Sequence, residues 1–273
     1  MNSSRREPVE TVAPLIRPAF YWTFVDAYVV AKRQIRQIPR IPDELVTSTV
    51  QPVITVLLFR YLFGGAITVP GTSYVNYLMA GVFVQSIVFG SASVGVGVAN
   101  DLQRGLIDRF RSLPMARSAV LTGRIVADQI RSAFIILVTW AIGVLVGFRP
   151  EGTVLSWIAA SALLLLVSFV FAWISALAGL LFRSVEAVQQ AGLVWILPFA
   201  FGSSAFVPLT TVPGWLRAFA EHQPVSLIMD AVRGLLLNQP DASTIALALI
   251  WCAGLLVVFI PTSVWAYGRR TAR

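Results

Sequence analysis

DLQRGLIDRFRSLPMARSAVLTGR, residues 101–124, is the one long polar interruption inside the hydrophobic part of this chain. It carries five arginines, Arg104, Arg109, Arg111, Arg117 and Arg124. Apolar runs flank it, GSASVGVGVAN before and SAFIILVTWAIGVLVG after. Read as a helix, Leu102, Leu106, Phe110 and Leu113 fall at i, i+4, i+8 and i+11 and form one apolar stripe, with Arg104, Asp108 and Arg111 on the other face. Pro114 ends that helix, because proline lacks a donor and clashes with the preceding turn. A short amphipathic helix hung between two membrane spans transmits movement if something docks on it. The competing reading is a solvated basic loop that only fixes topology.

The rest of the composition sets the frame. Of 273 residues 57% are hydrophobic and 12% charged, and the mean hydropathy is +0.77. Soluble domains carry about twice that share of charge. Several runs approach the ~18–20 apolar residues that cross a bilayer, so the expected class is an all-α polytopic membrane protein. The first forty residues are polar and basic, without the apolar core of a secretory signal. The net charge of +8 would favour nucleic acid on a soluble protein; distributed around membrane spans it does not, and no nucleic-acid partner is expected. One cysteine, Cys252, and one histidine, His222, build neither a disulfide nor a metal site, and no resident cofactor is expected. The single lysine, Lys32, is followed by Arg33, so a Gly-Lys-Ser/Thr phosphate loop is absent and the chain has no ATPase site of that type.

Residues 1–18 read as a flexible N-terminus. Residues 19–42 read as an amphipathic helix, with Phe20, Phe24, Tyr28 and Ile35 on one side and Lys32, Arg33, Arg36 and Gln37 toward its end. It suits either the membrane interface or a packed position on the protein. The transmembrane domain is expected over 43–273, with six spans at about 43–63, 74–99, 129–147, 154–182, 187–206 and 243–266. Ser91/Gly95 and Ser93/Gly97 give the second span small residues four apart, which lets helices approach closely. Two apolar pieces around Pro224, Trp215–Phe219 and Val225–Leu236, are each too short to cross. Together they predict a re-entrant helical hairpin before the last span. Sixteen of the 21 Lys/Arg lie on the side of the N-terminus and residues 101–124, and three, Arg149, Arg217 and Arg233, on the other. The positive-inside rule makes both termini and the 101–124 segment cytoplasmic and the hairpin outward.

This layout resembles the ABC-2 type permease family, and within it the daunorubicin-resistance branch of bacterial drug exporters. The resemblance rests on YLFGGA (Tyr61–Ala66), YVNYLMAGV (Tyr74–Val82), GLIDRFRSLPM (Gly105–Met115), GFRPEG (Gly147–Gly152), VPGWLRAFAEHQPV (Val212–Val225) and AVRGLL (Ala231–Leu236), spread over about residues 40–270. It implies a permease subunit in the bacterial inner membrane that exports hydrophobic drugs, antibiotics or lipids. It further implies a second permease chain, identical or not, and two separate ATPase subunits that carry the ATP and Mg. The family's coupling helix maps onto this chain at Asp101, Leu102, Arg104, Gly105, Leu106, Asp108, Arg109, Phe110, Arg111 and Pro114. An exporter of a lipid-linked glycan or envelope lipid shares this architecture, and a secondary transporter is the more distant alternative.

Other residues carry two readings each. Trp195, Phe199, Phe201 and Phe206 in the fifth span line a path for an apolar substrate or are ordinary packing aromatics. Asp128 and Arg131, three apart on one helix face, form a structural pair or take part in transport. Glu186 is a solvated helix-start residue or a proton carrier, and His222 a surface residue or a pH sensor. No clear ionisable group marks the bilayer midplane, which speaks against proton coupling. No nucleophile–base set supports an enzyme.

Overall fold

The computed structural model describes residues 42–67, 69, 71–104, 117–182, 184–206 and 213–272. They form eight α-helices and one π-helical turn, with no strand among them. The helices are α1 (Pro42–Leu58), α2 (Tyr74–Gln103), α3 (Arg117–Val146), α4 (Val154–Leu181), α5 (Val185–Phe201), α6 (Gly214–His222), α7 (Pro224–Leu236) and α8 (Ala242–Ala272). The expected flexible N-terminus 1–18 and the interfacial helix 19–42 fall, all but Pro42, outside the described residues.

Among the described residues four helices, α2, α3, α4 and α8, are long and apolar enough to cross a membrane. The other two expected spans fall on shorter apolar helices. The first is α1, which contains Pro52 and continues into the π-helical turn Phe59–Phe63 around Arg60. The fifth is α5, which is 17 residues long with Pro198 near its end. Proline deletes one backbone hydrogen bond in each, yet both helices continue past it. The third span also begins earlier than the hydropathy suggests. Leu121, Ile125 and Ala127 are buried, so α3 packs inward from Leu121 onward although Arg117 and Arg124 make that stretch look polar.

The bundle is built around α2. Of its most apolar stretch 72% is buried, against 11% for α8, which packs on the outside. α2 touches α1, α3, α4, α5 and α7, and a helix apolar on every side is the one that belongs in the middle. Its small residues permit this. A Cβ on Gly81 would strike the backbone of Ala205, and one on Gly95 the carbonyl of Ser175. On the opposite helix a Cβ on Gly179 would strike the Gly95 carbonyl. α2 and α4 therefore cross backbone to backbone between two Ser-xxx-Gly pairs, Ser91/Gly95 and Ser175/Gly179. Gly97 has a different task and lies beneath the Arg124 guanidinium. Around the crossing, Leu78, Phe83, Ile87, Leu164, Ile196, Ile228 and Met229 fill the core.

Some polar groups inside the apolar helices are satisfied within their own helix. Ser86 donates to the Val82 carbonyl at 2.7 Å and Thr139 to that of Ile135 at 2.8 Å. Between helices, Ser132 and Ser168 share a hydrogen bond at 2.7 Å and Ser263 donates to the Trp173 carbonyl at 3.2 Å. The connections cluster at two ends. At one, Arg149 N–H donates to Asn76 Oδ1 at 3.0 Å, and the N–H groups of Glu151 and Gly152 donate to the Leu236 carbonyl at 3.0 and 3.1 Å. At the other, Arg270 Nη2 donates to the Leu181 carbonyl at 2.9 Å and closes the end of α4.

Candidate functional site

The end that holds Arg270 also holds the polar stretch singled out from the sequence. Asp101 and Leu102 lie in the last turn of α2, not at the start of a separate helix, and Arg104 is its C-cap. Gly105, Leu106, Asp108, Arg109, Phe110, Arg111 and Pro114 lie outside the described residues, and α3 resumes at Arg117. The two flanks are tied to each other. Arg124 Nη1 on α3 forms an ion pair with Asp101 Oδ2 on α2, across a gap that only Gly97 leaves open. Tyr267 of α8 lies within electrostatic reach of the same carboxylate. Beside this junction, Ser184 caps α5 by accepting from Ala187 N–H at 3.1 Å. Glu186 stands exposed in the first turn, where a negative charge favours the helix dipole.

Two turns further along α3, Asp128 and Arg131 pair as their spacing predicts. Arg131 Nε donates to Asp128 Oδ1 at 2.9 Å, and Nη2 reaches that oxygen at 2.5 Å and the Gly90 carbonyl of α2 at 2.6 Å. Both side chains are more than 90% buried. α2 and α3 are thus joined twice by charge, at Asp101–Arg124 and at Gly90–Arg131, so the two arms of this hairpin are fixed to one another.

The four aromatics expected along a substrate path do not share one face. Trp195 stacks on Phe171 of α4, ring centroids 5.8 Å apart, and Phe199 packs against Phe219 of α6 at 5.9 Å. Phe206 is buried flat against Phe59 at 3.9 Å. Phe201 touches Phe206 and is exposed. The re-entrant expectation finds two helices split at Gln223–Pro224. α7 is embedded among α2, α4 and α8, while α6 buries only Ala220.

The sequence reading passed over the polar network that holds α7 in place. Gln223 Nε2 lies 3.1 Å from the Phe199 carbonyl, 2.8 Å from that of Gly202 and 3.1 Å from Ser226 Oγ. It thereby answers carbonyls that the end of α5 leaves without helical partners. Arg233 of α7 donates through Nη2 to the Ser204 carbonyl at 2.6 Å, pairs with Asp230, and lies 3.9 Å over the Tyr77 ring of α2. Tyr77 donates to that same carbonyl at 2.9 Å, and Ser204 Oγ donates to Asp230 at 2.8 Å. The signal was present, since Asp230 and Arg233 repeat the i, i+3 acid–base spacing of Asp128 and Arg131 inside an apolar helix. His222 stays exposed, its Nδ1 2.9 Å from the Ala218 carbonyl. Among the described residues no group of three or more His, Cys, Asp or Glu is placed to hold a metal.

Residues 26–237 match the ABC-2 type transporter family. The chain is 32% identical to the daunorubicin resistance ABC transporter permease protein DrrB1 of Streptomyces coeruleorubidus, over 85% of this chain and 82% of that protein. It is 29% identical to the probable doxorubicin resistance ABC transporter permease protein DrrC of Mycobacterium tuberculosis, over 78% of each. It is 25% identical to the doxorubicin resistance ABC transporter permease protein DrrB of the same organism, over 82% of this chain and 78% of that protein. The chain belongs to the ABC-2 type transporter family and is a membrane permease rather than an enzyme.

Proposed function

We propose that this chain is the membrane subunit of an ATP-driven exporter, moving hydrophobic drugs or lipids out of the inner side of a bacterial cell membrane. Two copies of a separate ATPase would bind the segment between α2 and α3 and supply the ATP and Mg, and a second permease chain would complete the pathway. In this reading α1 and α5 complete a set of six spans, both termini are cytoplasmic, and α6–α7 form an outward re-entrant pair. The relatives named for daunorubicin and doxorubicin resistance favour drug-like cargo over a lipid-linked glycan.

One observation carries the proposal: the basic segment is bracketed by two long helices that are locked to each other. α2 and α3 each have 30 residues and so run about 45 Å. A pull on residues 105–116 reaches α2 and α3 together, because Asp101–Arg124 and Gly90–Arg131 prevent them from moving apart. On the segment itself, Phe110 would seat in an apolar cleft of the ATPase, with Arg109 and Arg111 against an acidic rim.

The test is to purify the chain with its ATPase and measure ATP-dependent efflux of an anthracycline from cells. The variant Arg109→Ala/Phe110→Ala is expected to lose both ATPase association and efflux while the membrane part still folds. Association and efflux at the unaltered level in that variant would refute the coupling role. Efflux that persists without ATP but collapses with the proton gradient would refute the ATP-driven reading.

A further inference from the structure

Between α3 and α4, at the end of the bundle opposite Asp101, lies a groove of about 580 Å³. Trp140 and Val144 line it from α3, and Trp157, Ile158 and Leu165 from α4. Its walls are carbon almost throughout, and the charged residue at its rim is Arg149. None of the chemistry assigned so far uses it.

We propose that this groove is a binding site for an anionic glycerophospholipid, one acyl chain lying between α3 and α4 and the phosphate resting on Arg149. Three observations converge. The first is depth. From Val154 to Leu165 the α4 wall runs eleven residues, about 16 Å, which is roughly half of a ~30 Å hydrocarbon core. The groove therefore spans one leaflet and stops.

The second is the cation. Arg149 Nη1 donates to the carbonyls of Val144, in the last turn of α3, and of Phe148, just past it, at 3.2 and 3.1 Å, and the Arg149 backbone N–H is fixed by Asn76. The guanidinium is thus held in the turn where the apolar helices α3 and α4 end, with Nε and Nη2 engaging no acceptor among the described residues. That fork fits a phosphate. Glu151, the nearest acid in sequence, does not line the groove.

The third is the aromatic wall. Trp140 is a hub, with centroids 5.2 Å from Phe83, 5.6 Å from Phe148 and 5.9 Å from Trp157. The groove is therefore a shaped, stiff surface and not a gap that collapses. A protein partner filling it would have to bring a carboxylate to Arg149 and bury it. A lipid of that leaflet delivers the charge at the water boundary, where desolvation is small.

The inference rests on the membrane fold and is independent of the export reading. Its test uses the full chain in phosphatidylcholine vesicles that contain a minor fraction of either brominated phosphatidylglycerol or brominated phosphatidylcholine. Bromine quenches tryptophan on contact, and subtracting the Trp140→Phe/Trp157→Phe signal isolates the groove from the other six of eight tryptophans. The anionic lipid is expected to half-quench the pair at about one-fifth of the mole fraction the zwitterionic lipid needs. Arg149→Gln, at an exposed position, is expected to abolish that preference, and Arg149→Lys to keep most of it. Equal quenching by both lipids, a preference that survives Arg149→Gln, or no quenching by either, as under a second protein chain, would each overturn the proposal.

Discussion

The buried pair Asp128–Arg131 makes the sharpest quantitative test of the bundle. Two opposite charges about 4 Å apart attract by about 4 kcal/mol at an effective dielectric of 20. Burying both costs several kcal/mol per ion, so the pair as a whole comes out near neutral against apolar residues of similar size. Removing one partner is different, because the other stays buried without the opposite charge that balanced it, at about 3–5 kcal/mol. The structure adds an asymmetry. A carboxyl that has lost its guanidinium can take up a proton, whereas a guanidinium that has lost its carboxylate cannot shed one. In its favour, Arg131 would keep the Gly90 carbonyl, a bond worth about 1 kcal/mol. Asp128→Leu is therefore expected to destabilise by about 3–5 kcal/mol and Arg131→Met by less, while Asp128→Leu/Arg131→Met stays within about 1–2 kcal/mol of the parent. The assay is equilibrium unfolding of the purified chain in mixed micelles with rising denaturing detergent, followed by tryptophan fluorescence. A double variant as unstable as the sum of the two singles would show that the charges do not balance each other, and the account of α3 docking on α2 would fail.

Other outcomes follow from single contacts. Gly95→Ala or Gly179→Ala pushes a methyl into the facing backbone and is expected to cost about 1–3 kcal/mol, while Gly254→Ala, with nothing near its Cβ, stays within about 0.5 kcal/mol in the same unfolding assay. Gln223→Leu leaves the Phe199 and Gly202 carbonyls without their side-chain donor, at about 1–3 kcal/mol, and hydrogen exchange is expected to rise around residues 199–206 before it rises elsewhere. Asp241, at the start of α8, is held well below the usual carboxylate range by hydrogen bonds from the Ser243 and Thr244 side chains and then from their backbone N–H groups. Its folded pKa is depressed, so the stabilisation is fully present above the unfolded value of about 3.9 and is lost as pH falls below it. Amide protection in the first turn of α8, measured relative to the intrinsic exchange rate at each pH, should therefore be high at neutral pH and lower in strong acid, and Asp241→Asn should flatten that dependence.

Hydropathy and residue spacing made much of this architecture legible. Length and apolarity placed α2, α4 and α8 within a few residues at their first turns, because each starts next to a polar cap or turn: Ser73, Thr153 and Asp241. The Asp128–Arg131 spacing foretold its ion pair. Three things did not show. The start of α3 looked like loop because its arginines dominate the local average, although Leu121 and Ile125 pack inward between them. The centrality of α2 has no periodic signature, since a helix buried on all sides has no polar face to mark its orientation. Gln223 gave no sign of its role, because a lone amide before a proline becomes a helix cap only when another helix brings its open end alongside. Residues 105–116 and the N-terminal helix remain expectations from pattern and resemblance.

The bare crossing of Gly95 and Gly179 also sets a ratio of travel. Gly95 lies eight residues from Gln103 and twenty-one from Tyr74, about 12 Å and 32 Å along the axis. With no side chains to unlock there, that crossing is the natural fulcrum of α2. A stiff rod pivoting on it moves its far tip roughly 2.6 times as far as its near one. Spin labels at the two tips would read this gearing directly, and equal excursions would mean that α2 slides or bends instead.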